Sequence, residues 1–405
     1  NRPIDAFSPI TAAAWLQDRF TFKELVVRAG LRFERYDANQ LVLKDPYSIY
    51  PVKQVGEVKT LNGQAVNHPA GIGDDYAVYV DNSDNPTEVI GYRKEGNWFD
   101  ADGNSIADPS ILANNSSSGQ IQPYLVDPQN QELSMNAFKT FKAQNLFLPR
   151  LSVSFPLNST SLLFMSYDKM AQNPTVGQTY LPFTSYFYLQ GNTNGVLPNP
   201  ELKARVKTEY VLGMEQAIGN YSSMKLWASF ATIRNDFNQF RVEQAYPYSY
   251  TTYTNIDFST IKRYVAEYRY VADHLRFNGS YALQFADGTG SNANSAATLI
   301  QSGQPNLRSF FPLSFDTRHT LKGAFTYQFG YVSKDKRVLE YNGPFALGKP
   351  ILQGVVVSLG YQSLSGRPYT SVQRAVSEAQ RDNGVVQRAQ VKGNPFGSRL
   401  PWMHD

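Results

Sequence analysis

Charged side chains recur at alternate positions in three stretches of this 405-residue chain. Arg28, Arg32 and Glu34 do so in the first, Lys207, Glu209 and Glu215 in the second, and Arg263, Glu267 and Arg269 in the third. Spacing by two places such residues on one face of a β-strand. A mixed-charge face of that kind meets water or another polar protein surface. Paired catalytic carboxylates cannot be argued from the spacing. A second concentration is aromatic, in Tyr180-Leu181-Pro182-Phe183-Thr184-Ser185-Tyr186-Phe187-Tyr188 and Tyr246-Pro247-Tyr248-Ser249-Tyr250-Thr251-Thr252-Tyr253. Rigid amphipathic rings make platforms for sugars, planar ligands or peptides. Tyr180, Phe183, Tyr186, Tyr188, Tyr246, Tyr248 and Tyr250 are therefore the expected ligand contacts; the other reading of both segments is a girdle or loop-to-loop packing.

No catalytic constellation is present. The four histidines, His68, His274, His319 and His404, have no metal-ligand spacing, and Gly-x-Ser-x-Gly, His-Glu-x-x-His and phosphate-cradling glycine loops are missing. Asp100-Ala101-Asp102-Gly103-Asn104 has the spaced aspartates of a calcium loop, but its glycine stands fourth instead of sixth, so it reads as an Asp-Gly hairpin turn. The expectation is a protein that is not an enzyme and holds no metal or cofactor.

The elements that position these residues are strands. In residues 25–36, Leu25, Val27, Ala29, Leu31 and Phe33 alternate with Val26, Arg28, Gly30, Arg32 and Glu34; in residues 274–285, Leu275, Phe277, Gly279, Tyr281, Leu283 and Phe285 alternate with Arg276, Asn278, Ser280, Ala282 and Gln284. Residues 205–218 and 319–329 repeat the pattern, residues 151–157 and 161–170 form a hairpin, and residues 355–361 add a shorter strand. Residues 10–22 are strand-like with ambiguous facing, because Trp15 and Leu16 cannot share a side. About ten strands result, and runs of about ten to thirteen residues approach the 9–11 that cross a bilayer at a tilt. Short connections at Lys23-Glu24, Asn158-Ser159-Thr160, Gly219-Asn220 and Ala272-Asp273 alternate with links of roughly 15 to roughly 110 residues, beyond the usual loop length. Tight periplasmic turns and long extracellular loops have this rhythm, which a secreted sandwich has no reason to adopt. The longest link, residues 38–146, reads as an extracellular loop with short internal hairpins.

Composition agrees with this assignment. The chain is 42% hydrophobic, 18% charged and 14% aromatic, with 26 Tyr and 25 Phe, which suits the aromatic girdles of a barrel. No window of about 18 uninterrupted apolar residues exists, so a helical span is excluded, and the mean hydropathy of −0.39 is what half-polar strands produce. A net charge of +4 without a basic block gives no reason to expect nucleic acid. The lack of cysteine removes disulfides and thiol chemistry and suits export through an oxidising periplasm. With no secretory leader at Asn1-Arg2-Pro3, the chain reads as a piece of a longer precursor.

Five ordered motifs then carry a family resemblance: Trp15-Leu16-Gln17-Asp18 with Gly30-Leu31-Arg32-Phe33; Asn199-Pro200-Glu201-Leu202-Lys203 leading into Tyr210-Val211-Leu212-Gly213-Met214-Glu215; Tyr253-Thr254-Asn255-Ile256-Asp257; Asp316-Thr317-Arg318-His319; and Ser365-Gly366-Arg367-Pro368-Tyr369-Thr370. In this order they resemble the TonB-dependent receptors of Gram-negative outer membranes, especially Bacteroidota-type members. The resemblance implies an all-β fold, an antiparallel transmembrane β-barrel of about 22 strands, of which residues 1–405 form an open segment without the N-terminal plug and the last strands. It implies localisation in the outer membrane among its lipids, energised uptake through the TonB complex, and a scarce nutrient as ligand: siderophore, cobalamin, glycan or peptide. The charged residues named first would then face the lumen and plug. The alternatives are a passive porin or adhesin-like barrel and a secreted carbohydrate-binding β protein.

Overall fold

The computed structural model describes residues 8–174, 195–301, 308–332, 339–373, 390–391 and 396–405. Its frame is one antiparallel sheet of ten long strands in sequence order. These are β1 (Ile10–Phe22), β2 (Leu25–Asp37), β3 (Gln144–Asn158), β4 (Ser161–Gln172), β5 (Arg205–Ile218), β6 (Ser222–Val242), β7 (Tyr250–Val271), β8 (Leu275–Gly288), β9 (His319–Gln328) and β10 (Val356–Leu364), with the short β11 (Met403–His404) beside β10. Among the described residues each long strand is paired with its sequence neighbour, so the long strands follow one another without a crossover.

Because paired residues in an antiparallel ladder lie on the same face, the registers sort every side chain. One continuous row runs Leu226, Ala266, Tyr281, Leu321; the next runs Met224, Tyr268, Gly279, Gly323, Tyr361; another joins Leu31, Pro149 and Leu16. Leu16, Leu31, Phe147, Leu212, Leu226, Tyr281 and Leu359 on this face are all exposed. A sandwich would bury this face under a second sheet, and among the described residues no second sheet covers it. The register also settles β1: Leu16 pairs with Leu31 on the apolar face and Trp15 pairs with Arg32 on the other.

Three features depart from the sequence reading. First, β6 and β7 run for 21 and 22 residues, about 70 Å at 3.3 Å per residue, twice what a bilayer needs. Only residues 243–249 separate them, so half of the second Tyr-rich segment is strand. The ladder shifts register where Arg234 and Asn235 stand against Phe258, and again at Ile256. Such bulges bend strands at barrel rims, and here they divide the membrane-length lower part from the projecting upper part. Second, Lys262 sits on the apolar face between Phe230 and Phe285, exposed, and a stem of its length can carry the ammonium away from apolar surface. Third, the fifth connection at the tight-turn end, residues 329–355, is long.

Residues 38–146 are a folded module rather than a loop with scattered hairpins. Leu41–Leu43 pairs with Phe138–Thr140 to close its neck. Beyond the neck, Gln122–Pro123, Ala77–Val80, Val89–Lys94, Asn97–Asp100 and Ser105–Ile106 form a five-stranded sheet in that spatial order. It buries both faces, Val55, Val58, Ile72, Val78, Val80 and Tyr92 on one side and Tyr79, Ile90, Trp98, Leu112 and Ile121 on the other. Ile90 and Tyr92 point opposite ways because the register shifts between Tyr79 and Val80. The Asp-Gly turn reading holds: Asp100 accepts from the backbone N–H groups of Asp102 (3.0 Å) and Asn104 (2.8 Å) in the hairpin that Gly103 turns.

A charge placed among the apolar rows is expected to cost about 2–4 kcal/mol. Leu212→Arg in the full-length protein should therefore lower the denaturant midpoint measured in lipid vesicles, whereas Ser166→Arg, on the ionic face, should not. Equal losses would mean that the two faces meet the same medium.

Candidate functional site

The nine predicted lumenal residues do share one face. Arg28, Arg32 and Glu34 on β2 pair with Ser152, Leu148 and Leu146 on β3; on the same face Ser152 and Arg150 pair with Ser166 and Asp168 on β4, Asp168 pairs with Glu209 on β5, and Glu215 lies on that side of β5 as well. Lys207 lies on the same side of β5, while Arg263, Glu267 and Arg269 on β7 follow through Ser229, Lys225 and Ser223. The face is concave enough between β5 and β10 to hold a cavity of about 880 Å³, lined in part by Glu215, Lys225, Glu267, Arg269 and Lys322.

Several of its charges have a local partner. Arg32 Nη2 lies 3.0 Å from Glu34 Oε2, and Lys207 Nζ lies 2.9 Å from Glu209 Oε2, each pair two residues apart on one strand face. Trp227 Nε1 donates to Glu267 Oε1 at 2.9 Å, and Arg263 Nε donates to Gln284 Oε1 at 3.2 Å. Arg28 stands opposite Arg19. Exposed pairs contribute about 0–1 kcal/mol, so stability does not explain this face. What it provides is a wettable surface of balanced sign.

The first Tyr-rich segment, with Tyr180, Phe183, Tyr186 and Tyr188, lies outside the described residues. The second divides. Tyr250 is 4% exposed, and its hydroxyl donates to the Pro46 carbonyl at 2.8 Å. With Val242 and Ala245 it packs against Leu43, Ile49, Leu125 and Phe138 of the module. Tyr246 is half-buried, exchanges backbone hydrogen bonds with Tyr47 and Ile49, and reaches Gln131 Oε1 at 3.4 Å. These two rings fasten the β6–β7 tip to the module, which is the packing role weighed above, and Tyr250 is closed to a ligand in this arrangement. Tyr248 is exposed.

A second cavity, of about 640 Å³, opens where the module meets the projecting ends of β6 and β7. Its lining includes Lys44, Tyr47, Lys94, Lys139, Glu201 and Phe240. Lys139 pairs with Glu201 at 3.2 Å, Lys94 pairs with Asp75, and Arg93 pairs with Asp45. Arg93, 4% exposed, is also held under aromatic rings, with Tyr47 at 4.6 Å and Trp98 at 5.6 Å, and donates from Nε to the Tyr79 hydroxyl at 2.8 Å. Periodicity does not reveal this site, because its charges come from segments far apart in sequence, Asp45, Asp75, Arg93, Lys94 and Lys139 in the module and Glu201 beyond it. Burial pushes the Tyr79 hydroxyl up to about 12, with Arg93 opposing, and pushes the Tyr92 hydroxyl up to about 12 as well.

Four of the five motifs behind the family resemblance act as ties between loop bases and strand ends. Asn199 Nδ2 donates to the Tyr253 carbonyl (2.9 Å), and Asn255 brackets Lys203, accepting from its N–H (2.8 Å) and donating to its carbonyl (3.0 Å). Asp257 accepts from Asn238 Nδ2 and Thr289 Oγ1, both at 2.8 Å, and pairs with Arg308. Asp316, wholly buried, accepts from the Ala286 N–H (2.9 Å) and pairs with Arg318 (3.0 Å) and Arg399. The Arg318 guanidinium lies 4.1 Å over the Phe285 ring. Ser365 accepts from the His319 N–H at 2.9 Å, and a Cβ on Gly366 would collide with the Leu400 carbonyl oxygen, so only glycine fits. Arg399 carried no sequence signal. Among the described residues no cluster of three or more potential metal ligands occurs.

No family model and no curated protein matches the chain. Among solved structures it is similar to the FrpB iron transporter of Neisseria meningitidis (TM-score 0.40, 10% identity, 89% of this chain and 39% of that one). It is also similar to the Serratia marcescens hemophore receptor HasR in complex with HasA and heme (0.42, 12%, 90% and 47%) and to the Escherichia coli outer membrane transporter YddB (0.39, 8%, 95% and 45%). The chain thus spans less than half the length of each. Likeness at this level carries no argument, and the wall rests on its own registers.

Two outcomes follow from the site's electrostatics. A tyrosine whose folded pKa is raised contributes stability that is intact below pH 10 and is lost as pH rises toward 12. Alkaline titration should therefore unfold the module in that window, read by tyrosinate absorbance and module-specific proteolysis; a module stable to pH 12 would contradict the burial of Tyr79 and Tyr92. Asp316→Ala should cost about 3 kcal/mol, because two guanidinium groups lose their shared carboxylate, and the urea midpoint of the full-length protein reads it. An unchanged midpoint would remove the tie.

Proposed function

We propose that residues 1–405 are part of the barrel wall and outer loops of a TonB-dependent outer-membrane receptor that imports a scarce nutrient. The observation that carries this reading is the single sheet whose two faces suit two media, exposed apolar rows on one side and a paired ionic surface on the other. Lipid accounts for the first, and a lumen filled by water and a polar plug domain accounts for the second. The wall closes, on this reading, into a barrel of about 22 strands, with the tight turns in the periplasm and the 38–146 module outside the cell.

Ligand meets the protein at the outer end. The cavity between the module and β6–β7, the exposed Tyr248 and the first Tyr-rich segment are the proposed contacts, and siderophore, cobalamin, glycan and peptide are the ligand classes to be tried. The ionic face, including Arg28, Arg32, Glu34, Lys207, Glu209, Glu215, Arg263, Glu267 and Arg269, packs against the plug and releases it when TonB pulls. None of these steps needs bond-making chemistry from the chain.

Uptake of each candidate ligand by cells carrying the full-length receptor tests the proposal. Uptake should fall to background when TonB is deleted; undiminished uptake would identify a passive porin. Binding to purified receptor should weaken by about tenfold or more when Tyr186, Tyr188 and Tyr248 are changed to Ala, the loss expected for a few aromatic anchors. Unchanged affinity would remove the aromatic contacts.

A further inference from the structure

The connections at the tight-turn end of the wall are minimal and mostly polar at Lys23-Glu24, Ser159-Thr160, Gly219-Asn220-Tyr221 and Ala272-Asp273-His274. Residues 329–355 break that economy. Within them Phe345–Ala346 pairs with Lys349–Pro350 in a small hairpin, and its tip is apolar. Leu347 is fully exposed, and Phe345 and Ile351 are each more than half exposed.

The turn itself does not call for these residues. Leu347 and Gly348 have φ values of +50° and +75°, the pair of positive angles that favours Asn-Gly or Gly-Gly. Leucine is uncommon there. A leucine held in that conformation with its whole side chain outside the protein is presented, not packed.

The stem fixes where it is presented. Asn342 Nδ2 donates to the Tyr327 hydroxyl at 2.6 Å. Tyr327 pairs with Leu275 and Val357 and belongs to the apolar face, in line with Phe325 and Leu321. Phe329 lies against Tyr327 at 4.9 Å, and the Gly343 backbone fits so closely on Phe329 that a Cβ would come within 2.8 Å of the ring. The Tyr341 hydroxyl donates to the Pro344 carbonyl at 2.6 Å and accepts from the Leu352 N–H at 3.2 Å, which stiffens the hairpin base. The stem therefore lies against the outer, apolar side of the wall, at the level where its aromatic rings end.

We propose that this hairpin is a membrane anchor, with Phe345, Leu347 and Ile351 inserted in the lipid leaflet nearer the tight turns. The inference rests on the membrane reading of the wall. Apolar side chains at such a position enter the headgroup and acyl boundary, and Lys349 beside them reaches the lipid phosphates. The anchor would hold the β9–β10 end of the sheet at a set depth and tilt.

The test uses the full-length protein in phosphatidylcholine vesicles, with an environment-sensitive fluorophore on a single introduced cysteine; residues 1–405 contain none of their own. Leu347→Cys reports the tip, Leu212→Cys the apolar wall and Asn220→Cys a tight turn. Lipids brominated near the headgroup should quench the label at 347 at least about twofold more than at 220, as expected for side chains at the acyl boundary, and aqueous iodide should reach 220 but not 347. A label at 347 that iodide quenches as it does at 220, while 212 remains lipid-quenched, would overturn the anchor and leave the wall intact. Iodide quenching at 212 as well would overturn the membrane reading itself.

Discussion

Everything in this molecule depends on one constraint: each wall strand must satisfy its backbone through its neighbours while presenting alternate side chains to two different media. Hydrocarbon offers no hydrogen bonds, so the ladder has to be continuous from β1 to β10. Side chains with a period of two then have no freedom, because a slip of one residue would send Arg32, Glu209 and Glu267 into lipid and bring Leu31, Tyr210 and Tyr268 inside. The register is thus held by the difference between the two surroundings more than by any single contact. The surface ion pairs of the inner face are too weak to do it.

Where the strands leave the hydrocarbon, the rules change. Above the bulges at Asn235 and Ile256 the sheet is held by polar side chains that reach from loop bases to strand edges. Asp257, Asp316, Asn199, Asn255 and Ser365 each bind backbone or charged groups from another segment. Asp257, Asp316 and Ser365 are buried, which makes them sensitive to small changes. The module at residues 38–146 is a different solution to the same problem: it supplies two apolar layers around its own short sheet, then fastens to β6–β7 through Tyr246 and Tyr250.

The wall was legible in the sequence because lipid writes a strict pattern. Leu275 to Phe285 alternates without error, and the structure pairs those residues as their pattern requires. The facing of β1 was not legible, since Trp15 and Leu16 are both apolar and only the pairing with Arg32 and Leu31 separates them. The module was missed for a physical reason. The strands of its sheet are two to six residues long, buried on both faces and broken by a register shift, so neither periodicity nor length marks them. The reach of β6 and β7 was hidden because Tyr250, Thr251 and Thr252 read as loop while serving as strand. Of the candidate site, the ionic face was readable from spacing alone, whereas the cavity under the module depends on long-range pairing of Lys139 with Glu201 and Arg93 with Asp45.

If the two faces of this sheet meet lipid and water, a nitroxide scan along β8 in the full-length protein, reconstituted in vesicles, separates them. Labels at 277, 279, 281 and 283 should be broadened by oxygen dissolved in the bilayer, and labels at 278, 280 and 282 by a water-soluble relaxation agent or by plug contact, giving a period of two across the strand. If both sets respond to the aqueous agent alike, the sheet does not cross a membrane.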